Sequence, residues 1–217
     1  MGTLGGPNTV IDGLVLCLDA ANNKSYSGTG STWRDVSGNK NNGTLVNGPT
    51  FNSGSLYFDG IDDSASTPTS PSLESITTGI SICFWVKLGA TKNNYAVFFT
   101  KSGFATTLGI RGSDGFTVWY SNLGNWVAGY TSPRVLNNGN WAFMCYNYDG
   151  STQRIFQNGV QILSRSTTGN FTTTSNSMVI ANSTFDGQLG ASYIYNRALS
   201  AQEVLQNYNA TKSRFGL

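Results

Sequence analysis

The sequence predicts an all-β protein in which antiparallel strands form a two-layered sandwich. Short apolar or alternating runs recur along the 217 residues, and nine Asn-Gly or Asp-Gly pairs are spread between Asp12 and Asp186. Such pairs favour tight turns, because both residues tolerate a positive φ. Evenly spaced turns are typical of a many-stranded antiparallel sandwich, and a doubly wound α/β protein would lack them.

The pattern is clearest in residues 141–163, where three β-forming runs are separated by turns at Asp149-Gly150-Ser151 and Asn158-Gly159. In the first run the odd-numbered residues from Trp141 to Cys145 point to one face, and the even-numbered residues from Ala142 to Tyr148 point to the other. Both sets are apolar. We therefore expect a three-stranded antiparallel meander at the centre of the domain, with its first strand deep in the sandwich.

The other elements are predicted from similar local patterns in the sequence. Residues 80–88 alternate between apolar and other side chains, which predicts a strand. Residues 64–75 are rich in Ser, Thr and Pro and are predicted to be a loop. One helix is expected after Ser200, because Ser200 and Glu203 form a capping box. A hairpin is predicted at residues 51–58, and further strands are predicted at residues 14–19, 95–101, 106–111, 116–120, 126–130, 177–181 and 187–195.

Four motifs in this order resemble the laminin-G-like, concanavalin-A-like lectin/glucanase family. The resemblance covers roughly residues 13 to 208 and implies a two-sheet antiparallel jelly-roll β-sandwich with one short C-terminal helix. It also implies that Trp33 packs in the core. We expect residues 1–12 to form an N-terminal arm and residues 13–217 to form the domain. The motifs are Leu56 to Asp63, Ile80 to Lys87, Trp141 to Val160, and Ile194 to Ser200.

Charge and cysteine content exclude several functions. The net charge is only +2, and the 13 Lys and Arg residues form no run, so the sequence offers no clustered basic face for nucleic acid. No apolar run has the length of a membrane span, and the N-terminal residues do not resemble a signal peptide. Cys17, Cys83 and Cys145 are predicted to be buried thiols in a chain made in a reducing compartment. The alternative is a Cys83–Cys145 bridge across strands.

The residues also argue against an enzyme. The chain has no His, which excludes Ser-His-Asp and Cys-His arrangements. Glycoside hydrolases of this superfamily need paired carboxylates, but Asp62 and Asp63 are adjacent and would point to opposite faces of a strand. Asp59 and Asp186 each precede Gly, so we interpret them as turn residues and expect no metal or other cofactor. A structural calcium ion on these acidic residues is the alternative.

The candidate ligand site combines aromatic rings with hydrogen-bonding side chains between Tyr95 and Tyr130. Neutral sugars stack on aromatic faces and hydrogen bond to amide and charged groups. Trp126 follows Gly124 and Asn125, which mark a turn that would present its ring to solvent. Most single aromatic residues in such a domain belong to the core, so Trp126 carries the hypothesis. The full predicted set is Tyr95, Arg111, Tyr120, Asn125, Trp126 and Tyr130.

The last residues, 207–217, resemble the ends of laminin-G-like proteins encoded by bacteriophages. This resemblance implies a virion decoration, fibre or tail component that is assembled in the host cytoplasm. The expected partners are a host-surface glycan, other virion subunits and further copies of the chain, with neither nucleic acid nor membrane. Two alternatives remain: a purely structural virion protein with only protein contacts, and an adhesion module on the extracellular surface of a bacterium.

Overall fold

The computed structural model describes residues 8–89, 95–101, 106–111, 116–121, 127–131, 139–166, 168–170 and 176–217, with the backbone alone for residues 95–131. It contains sixteen strands, two α-helices and a final 3₁₀ turn at Lys212–Phe215 within these ranges. In chain order the elements are β1 Leu14–Asp19, β2 Thr32–Trp33, β3 Gly43–Val46, β4 Thr50–Asn52, β5 Ser55–Asp59, β6 Ser64–Thr67, α1 Pro71–Glu74, β7 Ile80–Leu88, β8 Tyr95–Lys101, β9 Thr106–Arg111, β10 Phe116–Ser121, β11 Val127–Thr131, β12 Trp141–Tyr148, β13 Thr152–Gln157, β14 Val160–Ser166, β15 Met178–Ala181, β16 Asp186–Tyr195 and α2 Ala201–Thr211.

The strands form two antiparallel sheets. Sheet A has the order β14-β13-β12-β7-β16-β5-β4, and β1 also pairs with β16. Sheet B has the order β11-β10-β9-β8-β15-β6-β3-β2. Many neighbours in each sheet are far apart in sequence, as they are in a jelly roll. The predicted fold class, a two-sheet sandwich with one short C-terminal helix, is confirmed.

Sheet A is buried on both faces along its central strands. Its inner face carries aliphatic and aromatic side chains of β7, from Ile80 to Leu88, which pack with residues of β3, β6 and β15 from sheet B. The outer face carries Trp85, Phe143 and Tyr193, which pack beneath α2 and the 3₁₀ turn. The alternation of β7 and β12 therefore serves two separate hydrophobic clusters.

The predicted meander is present as β12, β13 and β14. Asn158 and Gly159 have φ of 51° and 81°, which is the pair of positive values that a type I′ turn requires. Asn158 also exchanges two hydrogen bonds with Phe143 of β12. The predicted central position is wrong, however, because β14 is the edge strand of sheet A. Both faces of β12 are apolar because α2 covers the outer one.

The loop predicted at residues 64–75 is largely structured. Ser64–Thr67 forms β6, which pairs with β3 and β15, and Pro71–Glu74 forms the single turn α1. Ser70 caps this turn by accepting a hydrogen bond from the Leu73 amide, and Pro71 occupies its first position. These hydroxyl residues resemble a loop in sequence, because β6 alternates between small residues and has no large apolar side chain.

The cysteine prediction is wrong for two of the three residues. Cys83 and Cys145 are directly opposite each other on β7 and β12 and form a disulfide, which was the alternative. Sequence spacing hides this pairing, because it depends on the register between two strands. Cys17 is a free buried thiol, and burial raises its pKa to about 12.

The C-terminal helix begins at the predicted capping box, with Ser200 and Glu203 hydrogen bonded in both directions. Arg197 also pairs with Glu203, at 2.6 Å. Helix α2 holds the end of the predicted arm, since Asn207 Oδ1 accepts a hydrogen bond of 2.8 Å from the Val10 amide. Trp33 is completely buried, as predicted. Neither α1 nor α2, the α-helices of the described residues, has the length and apolar character that crossing a membrane requires.

Candidate functional site

The predicted sugar-binding residues belong to the β8–β11 half of sheet B and its connections. Asn125 and Trp126 lie outside the described residues. Tyr95 is the register partner of Arg111, Tyr120 is the partner of Thr107, and Tyr130 is the partner of Trp119. The strand order therefore places the backbones of the four predicted residues Tyr95, Arg111, Tyr120 and Tyr130 on neighbouring strands. Their side chains are outside the description, so the site stays a prediction.

The described side chains form a different candidate site, on the outer face of sheet A beyond the part that α2 covers. Lys87 of β7 is the register partner of Trp141 on one side and of Gln188 on the other. Gln188 is in turn the partner of Tyr57 on β5. Directly opposed residues of an antiparallel pair lie on the same face. The register therefore aligns an aromatic ring, an ammonium group, an amide and a second aromatic ring across four strands.

Three residues of this row, Lys87, Gln188 and Tyr57, line an open depression of about 390 Å³, which we call the outer groove. Its volume falls within the range of small-ligand sites. Lys87 and Gln188 are half-buried, so each offers its polar end while its stem packs on the sheet. The lining residues are Tyr57, Lys87, Leu88, Gly89, Gly139, Gly187 and Gln188.

Glycine allows the segments beside the outer groove to approach closely. A Cβ atom at Gly187 would lie 2.5 Å from the Lys87 carbonyl oxygen, and one at Gly89 would lie 2.1 Å from Asp186 Oδ1. The backbone instead closes with two hydrogen bonds, from the Gly89 amide to the Asp186 carbonyl at 3.0 Å and from the Gly139 amide to the Leu88 carbonyl at 2.9 Å. The end of β7 and the start of β16 therefore form a firm floor.

Existing hydrogen bonds orient the polar groups of the outer groove. Ser55 Oγ donates to Gln188 Oε1 at 3.0 Å, which directs the amide nitrogen of Gln188 away from Ser55 as a donor. Tyr57 donates its hydroxyl to Asp186 Oδ1 at 3.2 Å. Burial and the nearby Asp186 carboxylate raise the pKa of Tyr57, so its hydroxyl stays neutral. The site thus presents donors and ring faces, which recognise hydroxyl-rich ligands.

The C-terminal residues pack on the outer face of sheet A beside the start of this row. Phe215 stacks on Trp85 with 4.2 Å between ring centroids and contacts Trp141 at 4.7 Å. Phe215 also lies over Gly190, where a Cβ atom would be 2.5 Å from its ring. Trp85 donates its indole N–H to Thr211 Oγ1 at 2.8 Å. We call the stacked rings of Trp85 and Phe215 the aromatic cap, and it ends next to Trp141. After Trp85, the next residue on this face of β7 is Lys87.

Three carboxylates form a cluster at the turn after β5. One oxygen from each of Asp59, Asp62 and Asp63 lies within 4.8 Å of the others. Carboxylate oxygens this close together could bind a hard cation such as calcium. The turn already uses two of them: Asp59 Oδ1 accepts the Ile61 amide at 2.9 Å, and Asp63 Oδ2 accepts the Asp59 amide at 3.2 Å. Hydrogen bonds from backbone amides, first that of Ile61, lower the pKa of Asp59, whereas burial raises that of Asp63. This geometry agrees with turn-forming residues.

Sequence reasoning did not find the outer groove. In the sequence, Lys87 is only a non-apolar position in an alternating strand, and Gln188 is only one residue of the strand predicted at 187–195. The usable signal was a polar residue that interrupts an apolar strand, at Lys87 in β7 and at Gln188 in β16. Their alignment depends on strand register, which the sequence does not state.

The two sheets and their connections define a lectin-like β-sandwich domain of jelly-roll type. The family model described as the concanavalin A-like lectin/glucanases superfamily matches residues 58–205, so the chain belongs to this superfamily. No curated protein matches the sequence.

Three solved structures illustrate proteins with a similar fold. The binding domain of Paraclostridial mosquitocidal protein 1 has a TM-score of 0.75 at 16% identity, over 92% of this chain and 52% of that one. Domain 4 of AbnA, an extracellular arabinanase of family GH43 from Geobacillus stearothermophilus, in complex with arabinotriose, has a TM-score of 0.70 at 19% identity, over 90% and 98%. A botulinum neurotoxin type C structure, described by its interaction with two ganglioside molecules, has 0.70 at 15%, over 93% and 52%. The chain thus spans about half of the two toxin structures and nearly all of the arabinanase domain.

Proposed function

We propose that this domain is a non-catalytic carbohydrate-binding module and that it holds a glycan in the outer groove. The observation that carries the proposal is the row of Trp141, Lys87, Gln188 and Tyr57 across four strands. Aromatic rings bind the apolar faces of sugars, and the ammonium and amide groups donate to sugar hydroxyl, carbonyl or carboxylate oxygens. Two similar folds are described with arabinotriose and with gangliosides, which supports this ligand class.

Several carboxylates of the described residues are already held by other groups, which favours a binding role over hydrolysis. Hydrolysis of a glycosidic bond needs an acid and a second carboxylate facing each other across the substrate. Glu203 is held by Arg197 and Ser200, and Glu74 accepts a hydrogen bond from Thr69. In the acidic cluster, Asp63 is 5% exposed and bonds to the backbone of its own turn, so a sugar does not reach it.

We further propose that the domain acts outside the cytoplasm, on a phage particle or on another extracellular surface, where it adheres to a host glycan. The Cys83–Cys145 disulfide supports a location outside the reducing cytoplasm, because disulfides persist in oxidising environments. The resemblance of residues 207–217 to phage-encoded proteins supports the virion. Contacts with other virion subunits or with copies of the chain belong to the same proposal.

A glycan array probed with the 217-residue chain tests the proposal. We expect reproducible binding to a limited group of glycans, competed by the same glycan in solution. If no glycan is bound at high protein density, the carbohydrate-binding function is wrong and a purely structural role replaces it. Size-exclusion chromatography with light scattering measures assembly independently, and a clean monomer would remove the homo-oligomer from the proposal.

A further inference from the structure

A second depression lies at the open edge of the sandwich, where the two sheets end. Strand β4 is the edge of sheet A, and β2 and β3 form the corresponding end of sheet B. The loop after β1 and the turn after β3 meet there around a space of about 510 Å³, which we call the edge pocket. It is lined by Tyr26, Gly28, Thr29, Gly30, Ser31, Leu45, Asn47, Gly48, Pro49 and Phe51, and it shares no residue with the outer groove.

The floor of the edge pocket is apolar. Tyr26 and Leu45 are 4% and 5% exposed and join the main core, and Pro49 is also buried. The ring of Phe51 contacts that of Tyr26 at a centroid distance of 5.6 Å and an angle of 52°. Phe51 nevertheless remains 39% exposed, so its ring offers area to a ligand.

The rim of the edge pocket is polar and built largely from backbone. Tyr26 donates its hydroxyl to the Gly30 carbonyl at 3.0 Å, which ties the loop after β1 to the floor. Gly30 and Gly48 have φ of 88° and 93°, and a Cβ atom at either would meet nothing within 4 Å. These glycines are therefore required by the turns, and they leave peptide groups of the rim uncovered by side chains. Asn47 donates to the Asp62 carbonyl at 2.9 Å, which orients its amide.

The charge of the edge pocket separates it from the outer groove. None of the ten described residues that line it is Asp, Glu, Lys or Arg, whereas Lys87 lines the outer groove. A charged ligand would lose its hydration there without gaining a partner, and a purely apolar ligand would leave the rim peptide groups unpaired. The combination selects an uncharged ligand that has one apolar face and several hydroxyl groups.

We propose that the edge pocket is a second carbohydrate site that takes a neutral sugar unit, whose C–H face packs on Phe51 while its hydroxyl groups meet the rim. The ligand class rests on the proposed function, whereas the residues are independent of the outer groove. A domain with two such sites binds a branched or repeating glycan at two points, which raises its apparent affinity without new contacts.

Chemical-shift mapping of the full chain with millimolar maltotriose, xylotriose, arabinotriose and sialyllactose tests this site. We expect at least one neutral trisaccharide to shift the amide signals of residues 28–31 and 47–51. We expect Phe51→Ala to weaken that binding about tenfold, which corresponds to ~1.4 kcal/mol. Phe51→Leu keeps most of the apolar volume but removes the flat ring, so it should weaken binding as well. Val46→Ala is the matched control, because Val46 is 42% exposed on β3 but does not line the pocket.

The outcomes separate the two proposals. If the sugars shift only signals around Lys87 and Gln188, the edge pocket is not a sugar site and the proposed function survives. The same conclusion follows if Phe51→Ala and Phe51→Leu both bind as the unchanged chain does. If none of the four sugars shifts any signal and the array is also blank, the proposed function fails together with the second site.

Discussion

The covered and open parts of the outer face of sheet A differ although they are built from the same strands. In the covered part, Trp85 and Phe143 lie beneath α2 and the 3₁₀ turn and are completely buried. Two residues further along β7, Lys87 is half-buried and lines the outer groove. The covered part buries apolar side chains, and the open part is where we propose that a ligand binds. The aromatic cap ends at Phe215. Strand residues beneath the cap are buried, and strand residues beyond it lie in the open part.

The comparison predicts that variants of the covered part change stability and that variants of the open part change binding. The largest effect is expected for Trp85→Ala, which removes a buried ring that stacks on Phe215 and hydrogen bonds to Thr211. We expect a loss of about 3–5 kcal/mol in the free energy of unfolding. Urea denaturation followed by circular dichroism measures it. A loss below about 1 kcal/mol, no more than that of an average substitution, would show that the cap contributes little.

The next effect is on binding. Lys87→Ala removes the one charged side chain among the described residues that line the outer groove. Because a hydrogen bond to a charged group contributes about 1.5–3 kcal/mol, affinity for an array-selected glycan should fall about tenfold to a hundredfold. Isothermal titration calorimetry measures the affinity, and the melting temperature should stay unchanged. Lys24→Ala is the charge-matched control, since Lys24 is an exposed loop residue. Equal affinity in the two variants would move the site away from the outer groove.

A smaller effect concerns the hydrogen bonds that hold the start of α2, the helix that covers this face of sheet A. The hydrogen bonds from Arg197, and after them those at Ser200, lower the pKa of Glu203 from 4.5 to about 2 although burial opposes the shift. A lowered pKa in the folded state adds stability that is complete above the unfolded pKa and is lost as the pH falls towards 2. Glu203→Gln should therefore show a shallower loss of unfolding free energy between pH 4.5 and 2 than the unchanged chain.

Removing the other half of the same capping box, with Ser200→Ala, should cost about 1 kcal/mol at neutral pH. Thermal denaturation across this pH range compares the three proteins. If Glu203→Gln follows the unchanged chain at every pH, the ion pair does not stabilise α2.

The smallest effect is expected for Tyr57→Phe, which keeps the ring of the outer groove and removes only its hydroxyl bond to Asp186. The ring supplies the stacking surface, so glycan affinity should change by less than about threefold, or ~0.7 kcal/mol. Tyr57→Ala removes the ring and should weaken binding more. Calorimetry with the same glycan compares them. An equal loss in both variants would assign the contribution to the hydroxyl group.

The sequence predicts the local features of this fold well. The strand over residues 80–88, the Asn158-Gly159 turn and the Ser200–Glu203 capping box each depend on neighbouring residues, and each is confirmed. Features that depend on register were predicted less well: the Cys83–Cys145 bridge was only the alternative, and the row through Lys87 and Gln188 was missed. The Cys83–Cys145 pair and the row through Lys87 and Gln188 join strands that are distant in sequence, and alternation alone does not reveal which residues become opposed.

The same limit explains two further errors. Apolar residues on both faces of β12 indicate that both faces are covered, but not that the second cover is a helix. The sequence therefore predicted the three-stranded meander at the centre of the domain, whereas in the structure it runs to the edge of sheet A. The edge pocket is formed jointly by two loops and a buried floor. No local sequence motif therefore predicts it.

The most direct test compares two sites with one glycan, using affinities measured by calorimetry for Lys87→Ala/Gln188→Ala and for Trp126→Ala. If the outer groove holds the glycan, the double variant loses binding while its melting temperature stays that of the unchanged chain, and Trp126→Ala binds normally. The opposite result, with binding lost in Trp126→Ala and retained in the double variant, would contradict the outer groove and place the glycan on the predicted residues of sheet B.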